Sequence, residues 1–161
     1  EDLSYGGQFA ALIDEISSPE FAAAVGGKFG IDLSECPTTI TVRKFCEKSD
    51  GNIHTDHSSK VITVLFYFNQ DWSNDAGRLR MLRSNTDIED YAAEVPPIGG
   101  TMLAFLRTDH SWHGHKTFVG ERRMLQLNFL RSDRLARIKQ QIDRFGTRTM
   151  KKALRVLNPN A

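Results

Sequence analysis

The chain has 161 residues, the size of one ordinary domain, and we expect residues 1–161 to form a single catalytic or binding unit. A hydrophobic content of 40% and a charged content of 25% exclude a disordered chain, and no run of eighteen apolar residues is present to cross a membrane, so we expect a soluble protein. The formal net charge of +1 is unevenly spread, since residues 1–130 carry 12 Lys+Arg against 18 Asp+Glu (−6) and residues 131–161 carry 9 against 2 (+7).

Helical patterns come first in the chain. The stretches GQFAALIDEI (7–16) and PEFAAAVGGKFG (19–30) have apolar residues at helical spacing, and Pro19 suits a first helical turn. We therefore expect residues 1–37 to form a helical N-terminal part.

From residue 38 the pattern changes to short runs that are rich in β-branched and aromatic residues. Turn-forming residues separate the runs, and no helical pattern intervenes between them. Closely spaced strands of this kind predict an antiparallel sandwich or barrel over residues 38–131. The runs are TTITVRKF (38–45), KVITVLFYF (60–68), GRLRMLR (77–83), GTMLAFLR (100–107) and RRMLQLNFL (122–130).

A long stretch, MLRSNTDIEDYAAEVPP (81–97), connects two of these runs. Its length suits a lid or a substrate loop, and a plain solvated connection is the alternative.

The basic segment, residues 132–161, predicts C-terminal helices. Ser132 is a possible helix cap, Gly146 follows where a first helix would stop, and a second helix is expected at about 148–157. The basic residues could contact nucleic acid or an anionic surface, but no aromatic residues interleave them. A solvated helix face is therefore the preferred interpretation, and we do not expect nucleic acid as a partner.

The two cysteines, Cys36 and Cys46, are too few for a disulfide framework and do not have CxxC spacing. A reducing cytoplasm is the simplest interpretation, and we expect a cytoplasmic protein. The first residues are Glu-Asp rather than Met, so a missing N-terminal piece keeps this expectation provisional.

All five histidines lie in two stretches, GNIHTDHSSK (51–60) and HSWHGHKTFVGERRMLQLNFL (110–130). His54 and Asp56 are separated by one residue, so an extended segment places both side chains on the same face. A third ligand must come from elsewhere, and His113 precedes the last strand. Two imidazoles and one carboxylate that leave coordination positions open are typical of non-haem Fe(II) sites. The HxD pattern alone is weak, since most such tripeptides lie in surface turns.

The order of several motifs strengthens this interpretation. HTD (54–56) is followed by VITVLFYFNQDW, AGRLRML, PPIGGTMLAFLRTDHSWHG and GERRMLQLNFL. This series, from about residue 39 to 131, resembles the Fe(II)/2-oxoglutarate-dependent dioxygenase superfamily, specifically its prolyl-hydroxylase-like branch. The resemblance implies a mainly β fold with flanking helices, the double-stranded β-helix or jelly roll.

The resemblance also implies that His54, Asp56 and His113 are the iron ligands. The family places the distal histidine nine or ten residues before the arginine that binds 2-oxoglutarate, and His113 precedes Arg122 by nine. His110 and His115 remain alternatives for this third ligand.

A guanidinium matches the far carboxylate of the cosubstrate in a bidentate way that Lys cannot copy. Because neighbouring strand residues face opposite sides, only one of Arg122 and Arg123 can reach the pocket. The family's Gly-x-Arg pattern, here GER, selects Arg122. Arg123 then faces outward, Met124, Gln126 and Asn128 face inward, and Leu125, Leu127 and Phe129 must pack outward under the helices.

Further pocket residues follow from the resemblance. Tyr67 corresponds to a family tyrosine whose hydroxyl reaches the same carboxylate, and Thr63 and Leu65 share its strand face. Leu79 corresponds to another pocket wall. The family's usual tyrosine upstream of HxD has no obvious counterpart, and the residues in that region are Arg43, Lys44 and Phe45.

The implied activity is hydroxylation of a C–H bond with Fe(II), 2-oxoglutarate and O2, with ascorbate as a possible addition. We rank a protein or peptide residue first as the substrate, and a small metabolite or saccharide second. A non-catalytic jelly-roll module that binds a metal is the alternative from another functional class. The sequence does not indicate an oligomeric state.

Overall fold

The structure is a computed structural model that describes residues 6–132. The helices in this part are α1 (Gly7–Ile16) and α2 (Pro19–Phe29). The strands are β1 (Thr38–Cys46), β2 (Lys60–Tyr67), β3 (Leu79–Leu82), β4 (Tyr91–Val95), β5 (Met102–Leu106), β6 (His113–Gly114) and β7 (Gly120–Leu130). The helices predicted within residues 132–161 fall on residues outside the described part, so the single unit over 1–161 stays a prediction.

The ends of α2 follow from local chemistry. The Ser18 hydroxyl accepts a hydrogen bond from the Phe21 amide at 3.1 Å, and Pro19 occupies the first turn, where no intrahelical partner is needed. Gly30 closes the helix at φ +66°, a left-handed conformation that glycine adopts without steric cost. Within the described residues, neither helix is long and apolar enough to span a membrane.

The strands form two antiparallel sheets. One has the order β1-β7-β2-β5, and the other has the order β4-β3-β6. Neighbours such as β2 and β7 are distant in sequence, as expected when a jelly roll winds its strands between two sheets. The predicted mainly β jelly roll with flanking helices is confirmed.

The last strand separates the core from the cavity. Leu125, Leu127 and Phe129 are fully buried and pack with residues of α1 and α2, such as Ile16 and Val25. This confirms that the outward face of β7 lies under the helices. The opposite face carries Arg122, Met124, Gln126 and Asn128, and it points between the sheets.

The stretch 81–97 is not simply a loop. Its second half, Tyr91–Val95, forms β4 and pairs with β3. The Arg80 side chain on β3 crosslinks the hairpin by donating from Nε to Glu94 at 2.6 Å and by lying over the Tyr91 ring. Residues 91–95 are therefore a strand rather than a loop, because pairing with β3 stabilises a segment that has little β propensity of its own. A lid or substrate role for the stretch 81–97 stays a prediction.

Candidate functional site

The segment before β2 is paired with β6, and this brings two distant histidines together. The His54 amide donates to the His113 carbonyl at 3.0 Å, and the His113 amide donates to the His54 carbonyl at 2.9 Å. The two ring centroids are 4.3 Å apart. His54, Asp56 and His113 each offer one possible ligand atom, and these atoms all lie within 4.8 Å of one another.

Both rings are oriented for coordination through Nε2. The Nδ1 atom of His54 lies 2.7 Å from the Asn52 carbonyl, and that of His113 lies 2.9 Å from the Ser111 carbonyl. Since a carbonyl only accepts, each Nδ1 carries the proton and each Nε2 keeps a lone pair for a metal. Burial lowers the pKa of His113, which favours the neutral ring that a metal requires.

The carboxylate of Asp56 is buried and fixed by several contacts. Lys60 Nζ donates to Oδ1 at 2.6 Å, and the Thr63 hydroxyl donates to Oδ2 at 2.5 Å. Burial alone would raise the pKa of Asp56, but the hydrogen bonds from Lys60 and Thr63 outweigh it and hold the pKa below its usual value. Arg107 donates from Nε to the Asp56 carbonyl at 3.0 Å, which fixes the backbone of the turn.

The other histidines do not join this group of ligand atoms in the described residues. His57 and His110 are exposed, and the His57 ring bonds to Ser59 in the turn. His115 is buried, but it occupies another part of the cavity wall, where its Nδ1 lies 2.8 Å from the Lys116 carbonyl. The geometry therefore favours His113 over His110 and His115 as the third ligand.

A cavity of about 300 Å³ lies between the sheets, and the three grouped residues line it together with Arg122. Arg122 is 3% exposed. Its Nε donates to the Gly77 carbonyl at 2.8 Å, and its Nη2 donates to the Tyr67 hydroxyl at 3.3 Å. Arg123 is exposed on the opposite side of β7 and pairs with Glu121. The two arginine side chains thus point to opposite faces of the strand, as its alternation requires.

The walls around Arg122 are largely apolar. Leu65 and Leu79 line the cavity, as does Thr63 near Asp56. Tyr67 is fully buried, and burial raises its pKa even though Arg122 partly counteracts this effect. The phenol is therefore a neutral group that can share a hydrogen bond with a bound carboxylate. The structure thus brings together every residue that the sequence assigned to the site.

Several cavity features were not predicted. Lys60 directly contacts Asp56, and its position four residues later gave only a weak signal. Gly51 is packed under the His115 ring, and the only sequence signal for this contact is a glycine close to HxD. Cys46 and Arg43 also line the cavity, at the end of β1.

Comparison with known proteins is consistent with this geometry. The chain resembles a prolyl-4-hydroxylase from Pseudomonas putida in structure, with a TM-score of 0.51 and 20% identity over 70% of this chain and 64% of that protein. The match thus covers slightly less than two thirds of the length of that protein. This likeness shows a shared fold. No curated protein matches the chain in sequence.

Other solved structures are less similar. A nickel complex of a non-haem monooxygenase has a TM-score of 0.42 and 15% identity, over 78% of this chain and 61% of that one. The hydroxypropylphosphonic acid epoxidase from S. wedmorenis has a TM-score of 0.36 and 14% identity, over 60% and 45%. The family model described as the 2OG-Fe(II) oxygenase superfamily matches residues 41–131, more than half of the sequence, and the chain belongs to this superfamily.

Proposed function

We propose that the protein is an Fe(II)- and 2-oxoglutarate-dependent dioxygenase that hydroxylates a C–H bond. The observation that carries this proposal is that one cavity is lined by the His54, Asp56 and His113 group and by the buried Arg122. A metal-binding group and a buried cation in the same cavity suit a cosubstrate that has a metal-chelating end and a free carboxylate.

The donor set fits ferrous iron. Two neutral imidazole nitrogens and one ionised carboxylate would hold the ion on one face and leave positions open. When bound, Fe(II) supplies the activation of O2 that is coupled to decarboxylation of 2-oxoglutarate to succinate and CO2. The protein contributes by fixing the ligands, and the backbone bridge between His54 and His113 keeps their rings together before any ion binds.

Arg122 would bind the far carboxylate of 2-oxoglutarate. Its Nε is already held by the Gly77 carbonyl, so the guanidinium loses little freedom when a ligand binds. Tyr67 can share the same carboxylate, while Leu65 and Leu79 keep water from the methylene groups. Exclusion of water strengthens the charge pair, because the local dielectric constant is low.

For the hydroxylated group, we propose a protein or peptide residue. Support comes from the motifs that resemble the prolyl-hydroxylase branch, and the Pseudomonas putida protein that shares the fold is a prolyl-4-hydroxylase. Candidate peptides should gain the mass of one oxygen atom when incubated with the enzyme, Fe(II), 2-oxoglutarate and O2. A gain confined to small metabolites or saccharides would contradict this substrate class.

Turnover of the cosubstrate tests the activity itself. Purified protein with Fe(II) should convert 2-oxoglutarate to succinate slowly in the presence of O2, even without a substrate. His113→Ala should lose this conversion, and His110→Ala should keep it, because His110 is an exposed side chain only three residues away. A wild-type protein that binds Fe(II) but forms no succinate, alone or with the peptide panel, would instead indicate a non-catalytic metal-binding module.

A further inference from the structure

A chain of polar side chains runs from Asp56 to the cavity wall on β7. The Thr63 hydroxyl lies 2.5 Å from Asp56 Oδ2 and 3.2 Å from Asn128 Oδ1. As placed in the structure, Gln126 Nε2 donates to Asn128 Oδ1 at 2.8 Å, and Asn128 Nδ2 donates to the Thr39 hydroxyl at 3.2 Å. Asn128 is buried and does not line the cavity, whereas Gln126 does.

The number of available protons decides how these amides are oriented. Thr63 has one hydroxyl proton, and the Asp56 carboxylate takes it because an ionised carboxylate can only accept. The contact between Thr63 and Asn128 is then favourable only if Asn128 presents its NH2 group to Thr63. The oxygen and nitrogen of an amide have nearly the same shape, so this orientation needs only a half-turn of the amide.

The same half-turn determines how the side-chain amide of Gln126 is oriented. The half-turn exchanges the Asn128 oxygen, which the structure places toward Thr63 and Gln126, with the NH2 group, which it places toward Thr39. After this exchange Asn128 would donate to Thr63 and to Gln126 and would accept from the Thr39 hydroxyl. Gln126 must then offer its oxygen to Asn128, which leaves its own NH2 group for the cavity. The negative charge of Asp56 thus determines, through two intervening side chains, that Gln126 presents a donor rather than an acceptor to a ligand.

Gln126 also lies at a suitable place along the cavity. It follows Arg122 by four residues on the same strand face, a separation of roughly 13 Å along β7. It is opposite Leu65 on β2, next to the pair of Thr63 with Asn128 that leads to Asp56. A 2-oxo diacid whose far carboxylate is bound by Arg122 would therefore direct its 2-oxo acid end toward the metal ligands and Gln126.

We propose that Gln126 donates a hydrogen bond from its side-chain NH2 group to the 2-oxo acid end of the cosubstrate. This inference rests on the proposed function, because it assumes that 2-oxoglutarate occupies the cavity. It makes Gln126 a cosubstrate-binding residue and makes Asn128 and Thr63 positioning residues that orient it.

Binding measurements without turnover test this role. Protein loaded with Mn(II) in the absence of O2 is titrated with 2-oxoglutarate by calorimetry. Gln126→Met, which keeps the length and removes the donor without adding charge, should lower the affinity about tenfold to a hundredfold, the usual range for a hydrogen bond to a charged group. Affinity for Mn(II) alone should not change. Gln70→Met, at an exposed position, is the matched control.

A second ligand identifies the end of the cosubstrate that is contacted. The acid 2-oxopentanoate keeps the 2-oxo acid end and lacks the far carboxylate. Gln126→Met should lower its affinity by a similar factor, whereas Arg122→Ala should affect 2-oxoglutarate only. If the Gln126→Met effect vanished with 2-oxopentanoate, Gln126 would contact the far carboxylate and the proposal would be wrong.

The amide orientation can be observed in the unaltered protein. In Zn(II)-loaded protein labelled with ¹⁵N, the side-chain NH2 signal of Gln126 should shift strongly when 2-oxoglutarate binds, and that of Asn128 should shift much less. A wild-type protein that does not bind 2-oxoglutarate would contradict the proposed function. A wild type that binds it, with an unchanged Gln126 signal and full affinity in Gln126→Met, would overturn only this inference.

Discussion

Gly51 is a position where a single added carbon should disturb the candidate site. A Cβ there would lie within 2.7 Å of three atoms of the His115 ring, and φ is +85°, which L side chains rarely adopt. The Gly51 carbonyl also accepts from the His115 amide at 2.9 Å. Gly51→Ala must therefore displace either the buried His115 ring or the segment that leads to His54.

The expected loss of stability follows from the steric clash and from the unfavourable backbone conformation. A left-handed conformation costs an L residue about 1–2 kcal/mol, and forcing an extra carbon into a packed site costs typically about 1–3 kcal/mol. Gly51→Ala should therefore lower the free energy of unfolding by roughly 2–5 kcal/mol, a large part of the stability of a typical domain. Urea unfolding of the metal-free protein measures this change, and calorimetry should show weaker Mn(II) binding.

Gly100 provides a matched control, because its φ is +83° but a Cβ there would meet nothing within 4 Å. Gly100→Ala should carry only the conformational cost of about 1–2 kcal/mol and leave Mn(II) binding intact. In the double variant Gly51→Ala/His115→Ala, removal of the ring should recover part of the steric cost. Equal losses of stability in Gly51→Ala and Gly100→Ala would refute the packing argument.

Three further predictions concern the arginines, the histidines and pH. Arg122→Ala should weaken 2-oxoglutarate binding roughly 30-fold to several thousandfold, because truncating a buried charged contact costs about 2–5 kcal/mol. Arg123→Ala should leave this binding nearly unchanged. The reverse result in calorimetry would mean that the register of β7 is shifted by one residue. His113→Ala should abolish Mn(II) binding and His115→Ala should not, so retained binding in His113→Ala would show a wrong ligand assignment. Burial lowers the pKa of His113 and His115 below the usual value of 6.5. The metal-free protein should therefore lose stability as the pH falls through about 6.5, because the unfolded chain gains protons there that the folded protein does not. Equal urea midpoints at pH of about 7.5 and 5 would contradict this.

The helices and most strands could be predicted because their signals are local. The stretch 7–16 matches α1, Pro19 marks the start of α2, and Gly30 marks its end. Alternation along β7 placed Arg122 and Arg123 on opposite faces, and the GER pattern selected Arg122. One face of the strand lies under the helices, so the alternation is strict. A shift of one residue would bury charge in an apolar core.

The parts that could not be predicted depend on contacts between distant residues. The strand Tyr91–Val95 is short and contains only one β-branched residue, so its pairing with β3 rather than its composition makes it a strand. The spacing of Lys60 from Asp56 is only a weak sequence signal for their contact, because the turn between them decides where the Lys60 side chain points. The packing of Gly51 against His115 is likewise invisible until the two segments are paired.

The candidate site draws on both sheets, and this explains why its polar groups tolerate burial. Asp56 precedes β2 of the larger sheet, and His113 lies on β6 of the smaller one. Arg122, on the larger sheet, donates to the Gly77 carbonyl just before the smaller sheet begins. Burying these groups costs free energy unless each is hydrogen-bonded, and within residues 6–132 no buried side-chain nitrogen or oxygen lacks a partner. The contacts that offset burial are thus the same ones that orient the candidate ligands, so the fold holds these side chains in place without a bound ion.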